Sequence, residues 1–253
     1  MNRSLAALAL LCVVALAACE KNTVQDITGP LAASRIKFFN FGVSAPGVNF
    51  YANATKMTAI TSGTGTESTN GVTYGGAGNG GLYSAVASGP YTLTGRIAAA
   101  VDKDLPIATV TTTIADGKFY SFYMSGVYNT GTKTVEAFVV EDPVPALNYT
   151  VAYVRFVHAI SNANPMTLYA KNTDTTVTKD SIAIGGEVAY QAAGPFTAVP
   201  NGVYNLITRY TGSNTSVLTR NAVSFVAGRI YTIGARGDTT VASTRALDNT
   251  PNR

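Results

Sequence analysis

The chain has 253 residues and a formal net charge of +4, from 18 Lys and Arg against 14 Asp and Glu. Its basic residues are scattered singly and form no polybasic run, so the positive charge does not indicate a nucleic-acid-binding protein. Only 13% of the residues are charged, while Gly, Thr, Ser, Asn and Tyr are abundant. That composition is more typical of an exported all-β protein than of a cytosolic enzyme.

The first 18 residues have the features of a secretory signal peptide. Arg3 supplies a positive charge, and the apolar residues 5–16 are too few to span a bilayer. The sequence LAAC, which ends at Cys19, resembles the lipobox of bacterial lipoproteins, in which the cysteine receives a diacylglycerol thioether. We therefore expect Cys19 to carry lipid, palmitate among the acyl chains. An ordinary signal peptide with an incidental cysteine is the alternative.

Lipidation at Cys19 would also account for both cysteines of the chain. Cys12 leaves with the signal peptide, so the mature protein is expected to have no free thiol, no disulfide and no cysteine metal ligand. Two acyl chains, each stabilised by about 0.8 kcal/mol per buried methylene, give stable membrane attachment. Glu20 is not the aspartate that retains lipoproteins at the inner membrane of enteric bacteria, which favours the outer membrane, with its periplasmic or surface face left open.

Three segments of the mature chain occur twice in the same order. RIKFFNFGVSAPGVNFYAN aligns without gaps with YVRFVHAISNANPMTLYAK, so that Phe38 meets Phe156 and Tyr51 meets Tyr169. AVASGPYTLTGRI pairs in the same way with AVPNGVYNLITRY, and ADGKFYSF with VAGRIYTI. Because all three pairs keep their order, we expect two copies of one domain.

Each copy reads as short strands separated by Gly-containing turns. Ile36, Phe38 and Asn40 alternate with Lys37 and Phe39, a period of two that indicates a half-buried strand. We predict an all-β fold of two tandem Ig-like antiparallel β-sandwich domains, and a mobile polar loop over residues 61–81. The predicted segments are a signal peptide (1–18), a lipid-anchored linker (19–33), a first sandwich (34–142), a linker (143–149), a second sandwich (150–248) and a tail (249–253).

The repeated segments resemble a known family. VRFVHAISNANPMTLYA, followed by PNGVYNL and VAGRIYTI, is similar to the bacterial domain of unknown function numbered 4397. The resemblance covers about residues 34–142 and 150–248, and its members often occur in secreted and lipid-anchored proteins. It implies an architecture and no mechanism, since the family's activity is not established. The first copy departs from the pattern by carrying Asn40 where the family has histidine.

His158 is the only histidine in the chain. It lies on the same predicted strand face as Val154 and Phe156, and the equivalent residue of the first copy is Asn40. A general base needs a nucleophile or an orienting carboxylate nearby, and VHAISNAN offers neither. Both His and Asn can hydrogen-bond backbone groups at a strand end, so we predict a structural role for His158.

Three other motifs have simple structural interpretations. GGAGNGG at residues 75–81 lacks the helix that a phosphate-binding loop requires, so a flexible loop is expected. RGD at residues 236–238 is expected to be a plain hairpin or turn. Asp102 with Asp104, and Glu141 with Asp142, are interpreted as solvated turn charges rather than as a hydrolase pair or a calcium site.

The aromatic residues give the remaining hint of a binding site. FYSFYMSGVY at residues 119–128 holds more aromatic side chains than one strand face can bury. Tyr120, Tyr123 and Tyr128 are therefore the candidate ligand contacts, with glycan or protein as the ligand. Core packing is the competing interpretation.

Taken together, these observations predict a non-catalytic, lipid-anchored protein of the cell envelope that acts as a binding or structural module. Its partners would be the membrane, through lipid on Cys19, and an envelope glycan or protein; no cofactor, metal or nucleic acid is expected. The alternative is an envelope hydrolase that acts on glycans through carboxylates brought together only by folding.

Overall fold

In the computed structural model, residues 32–58, 67, 69–174, 176 and 181–252 are described. Within them, the first repeat forms two sheets. The strands are β1 (Ser34–Asn40), β2 (Val48–Ala52), β3 (Thr55–Lys56), β4 (Gly76–Ala77), β5 (Ser84–Val86), β6 (Gly89–Ile97), β7 (Pro106–Ile114), β8 (Phe119–Asn129) and β9 (Thr134–Glu141). One sheet has the order β4-β1-β8-β9, with β5 also paired to β1, and the other has the order β3-β2-β6-β7.

The second repeat reproduces this arrangement. Its sheets have the orders β13-β10-β17-β18, with β14 also paired to β10, and β12-β11-β15-β16. The strands are β10 (Val151–His158), β11 (Met166–Asn172), β12 (Ile182–Val188), β13 (Ala192–Ala193), β14 (Thr197–Pro200), β15 (Gly202–Tyr210), β16 (Ser216–Phe225), β17 (Ile230–Asp238) and β18 (Val241–Pro251).

The predicted all-β sandwich architecture is confirmed, with one refinement of strand direction. Most neighbouring strands are antiparallel, but β1 runs parallel to β8, and β10 runs parallel to β17. After β1 the chain passes through β2 and β3 of the other sheet and pairs with β1 again as β4 and β5. It then crosses the other sheet as β6 and β7 and returns as β8, parallel to β1. No helix among the described residues has the length and apolar character needed to span a membrane.

Each sandwich has its own hydrophobic core, formed by the predicted inward positions. In the first repeat, Phe38 stacks on Phe50 with ring centroids 5.2 Å apart, and the ring of Phe122 meets Phe50 edge-on at 5.5 Å. In the second, Val154 and Phe156 are buried in an equivalent cluster. The alternation along β1 and β10 therefore predicts the inward faces correctly.

The outward faces of β1 and β10 are also buried. The prediction of a half-buried strand is therefore wrong for these faces. A third cluster joins the two repeats, and we call this contact the seam; its members are Phe39, Phe41, Tyr123, Phe138, Val157 and Ala159. The sheets containing β1 and β10 thus face each other, and the described residues from 32 onward belong to one compact unit of four stacked sheets.

The seam matches large residues of one repeat to small residues of the other. Phe39 lies opposite Tyr123 in the β1–β8 pair, and their rings stack with centroids 4.6 Å apart. The same position of the β10–β17 pair holds Val157 opposite Gly234. Phe41 packs so closely on Gly234 that a Cβ there would lie 2.7 Å from its ring. Because the two faces differ in this way, each fits the other better than it fits itself.

Two predicted segments differ from the structure. The expected tail at residues 249–253 is incorrect, since β18 continues to Pro251 and Asn252 is buried. The expected mobile loop at residues 61–81 falls partly outside the described residues, but from residue 69 onward it is ordered: Val72 is buried and pairs with Val48. The Tyr74 hydroxyl donates a 2.6 Å hydrogen bond across the seam to the Thr244 carbonyl. Residues 142–148, which connect the repeats, have no regular secondary structure.

Candidate functional site

The tyrosines that the sequence offered as ligand contacts are largely enclosed. Tyr123 is 1% exposed and lies in the seam, while Tyr120 is buried and its hydroxyl accepts a 3.2 Å hydrogen bond from the Ala115 N–H. Tyr128 is half-buried against the first core. The prediction is therefore wrong for Tyr120 and Tyr123. The physical reason is that β8 is buried on both faces, one by its own core and the other by the second repeat.

His158 has the structural role predicted for it. It is fully buried; its Nδ1 accepts a hydrogen bond from the Ile160 N–H at 3.2 Å, and its Nε2 donates to the Asn164 carbonyl at 3.2 Å. Asn40 makes the same two bonds in the first repeat, accepting from the Gly42 N–H and donating to the Pro46 carbonyl. Burial lowers the pKa of the His158 imidazole, which favours this neutral form.

The two loop motifs are both part of the sheets. The glycine-rich segment contains the short strand β4 and a 3₁₀ turn at Gly78–Gly81, so it is not the flexible loop that was expected. The RGD segment ends β17 in a hairpin, where Asp238 pairs with Val241, as predicted. Arg236 is held by Asp248 and by the ring of Tyr74, 4.6 Å away, so the tripeptide is not presented as a free loop.

The carboxylate candidates do not converge. Asp102 pairs with Lys133 at 2.7 Å, and Glu141, at the end of β9, pairs with Lys118 at 2.9 Å. Both carboxylates are exposed, as expected. Asp142 is buried, so the solvated interpretation is wrong for it. Among the residues that the structure describes, no group of three or more His, Cys, Asp or Glu side chains is placed to hold a metal ion. Cys19 lies outside the described residues.

Asp142 belongs to a buried network that crosses the seam. Its carboxylate forms an ion pair with Arg155, which is 0% exposed. The hydroxyls of Tyr83 and Ser121 donate to its other oxygen at 2.6 and 2.7 Å. The Arg155 guanidinium also donates to the Thr232 hydroxyl and to the Glu141 carbonyl, both at 3.1 Å. Nearly every polar group here is paired, which is what burial of charge requires.

Lys37 is the residue of β1 equivalent to Arg155 of β10, and it is also buried. Its ammonium donates a 2.6 Å hydrogen bond to the Pro251 carbonyl and lies 4.3 Å from the centre of the Tyr83 ring. Burial lowers the pKa of Lys37 to about 8, opposed by the attraction of Asp142 and reinforced by the repulsion of Arg155. The buried network described here thus contains two basic side chains, Lys37 and Arg155, and one acidic side chain, Asp142.

A cleft of about 420 Å³ opens at the edge of the seam. It is lined by Lys37, Tyr83, Arg229 and Asn252, with Leu82 exposed at its rim. No carboxylate is among its lining residues in the described part of the chain. Sequence reasoning missed the seam entirely. The available signal was the aromatic surplus of β8 and the recurrence of a basic residue between apolar ones in both copies.

Comparisons with known proteins add the following. The model of a family described as a domain of unknown function (DUF4397) matches residues 34–169 and 152–253. No curated protein matches the chain. A crystal structure of a proposed cell adhesion protein from Bacteroides ovatus is 12% identical in sequence, with 89% of this chain and 97% of that chain covered and a TM-score of 0.24. At that TM-score the likeness carries no inference about function.

Proposed function

The chain belongs to the family of the domain of unknown function DUF4397, and from that premise we propose that it is a non-catalytic binding or structural protein of the bacterial cell envelope, anchored by lipid on Cys19. The observation that carries the proposal is the seam. It engages the buried Arg155 and Asp142 with each other across the two repeats, so these two charges are paired within the protein and do not face a substrate.

The chemistry of the other candidate groups supports the same conclusion. Both ring nitrogens of His158 are engaged with backbone groups, and a histidine so engaged is not free to accept a proton from a substrate. Asn40 fills the same place in the first repeat with the same bonds. A residue type that exchanges with asparagine at equivalent positions is being used for its hydrogen bonds, not for its basicity.

The lipid anchor rests on the residues before the described body. The apolar stretch, the small residues before Cys19 and the cysteine itself occur in the order that lipidation requires. Two or more acyl chains would keep the protein on its membrane, since one chain alone gives only reversible binding. The outer membrane is the proposed location, because Glu20 stands where the inner-membrane signal would have aspartate.

The anchor is tested by labelling bacteria that express the full chain with a palmitate analogue and then separating membrane from soluble fractions. Wild type should be labelled and membrane-bound, and Cys19→Ser should be unlabelled and released. Cys12→Ser is the matched control, since it removes a cysteine of the signal peptide and should leave both results unchanged. Wild type recovered soluble and unlabelled would contradict the anchor.

The non-catalytic role is tested separately on purified protein. Incubation with envelope glycans should give no products above those of a boiled sample. Turnover that is lost in a carboxylate variant such as Glu187→Gln, and retained in wild type, would replace the proposal by the hydrolase alternative.

A further inference from the structure

A second cleft, of about 390 Å³, lies on the solvent face of the β12-β11-β15-β16 sheet. Its walls are Thr167 and Tyr169 of β11, Glu187 of β12, Tyr210 of β15 and the hairpin residues 211–214. Tyr169 and Tyr210 are half-buried, and Tyr210 also packs against the core of the second repeat. The cleft therefore combines aromatic surface with hydroxyl, amide and carboxylate groups.

The strand register places Glu187 in the cleft and Arg209 on the neighbouring strand beside it. Thr167 lies opposite Glu187 on one neighbouring strand and opposite Arg209 on the other. Strands are spaced about 4.8 Å apart, so the backbones that carry the two charges are about 10 Å apart. Immediately before Glu187 in β12, Gly185 and Gly186 adopt positive φ angles of 71° and 76°, where the β11–β12 register shifts. Such a bulge redirects the side chains that follow it.

The first repeat has the same framework in a closed form. Arg96 stacks over Tyr51 at 4.3 Å, as Arg209 stacks over Tyr169 at 5.3 Å. Tyr51 is buried, however, and its hydroxyl donates to Asp104 at 2.9 Å. The Arg96 guanidinium is also satisfied internally: Nε donates to the Thr94 hydroxyl at 3.0 Å, and Nη2 donates to a backbone carbonyl at 3.2 Å.

The second repeat lacks these internal partners. The residue equivalent to Thr94 is Ile207, which has no hydroxyl to accept a hydrogen bond. Accordingly, the Nε of Arg209 is buried and has no hydrogen-bond partner within the described residues. Tyr169 is accessible where Tyr51 is covered. The first repeat thus satisfies the Nε of its arginine with its own threonine, and the second repeat does not.

We propose that this cleft binds an uncharged saccharide, which deepens the binding role proposed above and rests on it. Tyrosine rings offer flat apolar surface to the C–H face of a sugar, and their hydroxyls can hydrogen-bond at its edge. Glu187 accepts hydrogen bonds from sugar hydroxyls, and Thr167 and Asn214 can both donate and accept. Among the described residues that line the cleft, Glu187 is the only charged one, and its carboxylate repels an acidic ligand, so a neutral ligand is favoured.

The two repeats therefore differ in function as well as in sequence. Only the second offers the open cleft, since the corresponding surface of the first is closed by Asp104, Thr94 and Tyr51 itself. The chain is expected to bind one saccharide segment through this surface, not two through equivalent sites.

The test uses the purified chain on an array of neutral oligosaccharides, built from hexoses and N-acetylhexosamines, next to oligosaccharides of uronic acids. Wild type should bind at least one neutral glycan. Titration with that glycan should show affinity lowered about tenfold or more by Tyr169→Ala and by Glu187→Gln, because each removes a principal contact. Tyr149→Ala is the matched control, since Tyr149 is 79% exposed and lies outside the cleft, and it should bind like wild type.

Each variant is first compared with wild type by thermal unfolding, and Glu187→Gln keeps the test valid if Tyr169→Ala fails to fold, because Glu187 is exposed. The inference is overturned if no neutral glycan binds, if uronic-acid glycans bind preferentially, or if the cleft variants bind as tightly as Tyr149→Ala. The array tests saccharide binding and the acyl labelling tests the lipid anchor. A negative result in one experiment therefore does not change the conclusion from the other.

Discussion

Replacing Asp142 by asparagine removes the only acidic member of the described charge network in the seam. The side chains of Asp142 and Arg155 are 0% and 1% exposed, so Arg155 would be left charged without a counter-ion and without water. Lys37, nearby, would add to the uncompensated positive charge. Breaking a buried ion pair by removing one partner costs about 3–5 kcal/mol. We expect Asp142→Asn to lower the free energy of unfolding by about that amount.

The matched control is the same substitution at an exposed pair. Asp102 and Lys133 are joined at 2.7 Å with side chains 35% and 46% exposed. Because water screens such a pair, Asp102→Asn should cost about 0–1 kcal/mol. Urea unfolding followed by far-UV circular dichroism gives both values under the same conditions. Equal costs for the two variants, within about 1 kcal/mol, would refute the buried ion pair.

A double replacement separates the loss of the pair from the cost of an unpaired charge. Asp142→Leu combined with Arg155→Met removes both charges, and apolar replacements of buried pairs are often neutral or stabilising. The double variant should therefore be more stable than Asp142→Asn alone. If the double variant is less stable than the single variant, the network contributes to the free energy of unfolding in a way that charge compensation does not explain.

Three further predictions concern single positions and are measured by urea unfolding. His158→Asn should stay within about 1 kcal/mol of wild type, because Asn40 makes the same bonds, whereas His158→Leu should lose about 1–3 kcal/mol. Gly234→Val should cost about 1–3 kcal/mol by overpacking against Phe41 and should speed proteolytic cleavage between the repeats. The folded-state pKa of Lys37, about 8, lies below the ordinary lysine value of 10.5, so the unfolded chain binds more protons between these values. Above pH 8, wild-type stability should therefore rise relative to Lys37→Met by up to about 1.4 kcal/mol per pH unit, and parallel pH profiles would contradict this.

The alternation of β8 shows what the sequence could and could not predict. Tyr120, Phe122 and Met124 lie at alternate positions of this strand and pack in the first core. The same period places Tyr123 on the opposite face, but periodicity does not say whether that face meets water or another domain. The surplus of aromatic residues was a real signal, and its cause is the second repeat, not a ligand.

The charged residues of the seam were hidden for a related reason. Lys37 and Arg155 occupy outward strand positions, where a basic residue ordinarily faces solvent. Their burial depends on Asp142, which follows the last strand of the first repeat and meets Arg155 only after the repeats pack together. The sequence of each strand alone does not predict a contact that forms only when the two repeats pack together.

Part of the difference between the two repeats at this cleft could be predicted from the sequence. Aligning the copies pairs Arg96 with Arg209, and the change from Thr94 to Ile207 is visible in that alignment. The change to Ile207 removes a hydrogen bond to the arginine that only the structure reveals. The alignment alone therefore could not identify Arg209 as unpartnered. His158 was predictable because its equivalent, Asn40, limits the roles that both residues can share.

The central claim is that the two repeats are one body joined across the seam. Native-state hydrogen exchange, read by mass spectrometry on peptides from each repeat, tests it directly, because β1 lies in one repeat and β10 in the other. The account predicts that the slowest amides of both strands exchange with the same free energy of opening, and that Asp142→Asn lowers both by the same amount. Strands β1 and β10 that open with different free energies, or a variant that weakens only one repeat, would contradict it.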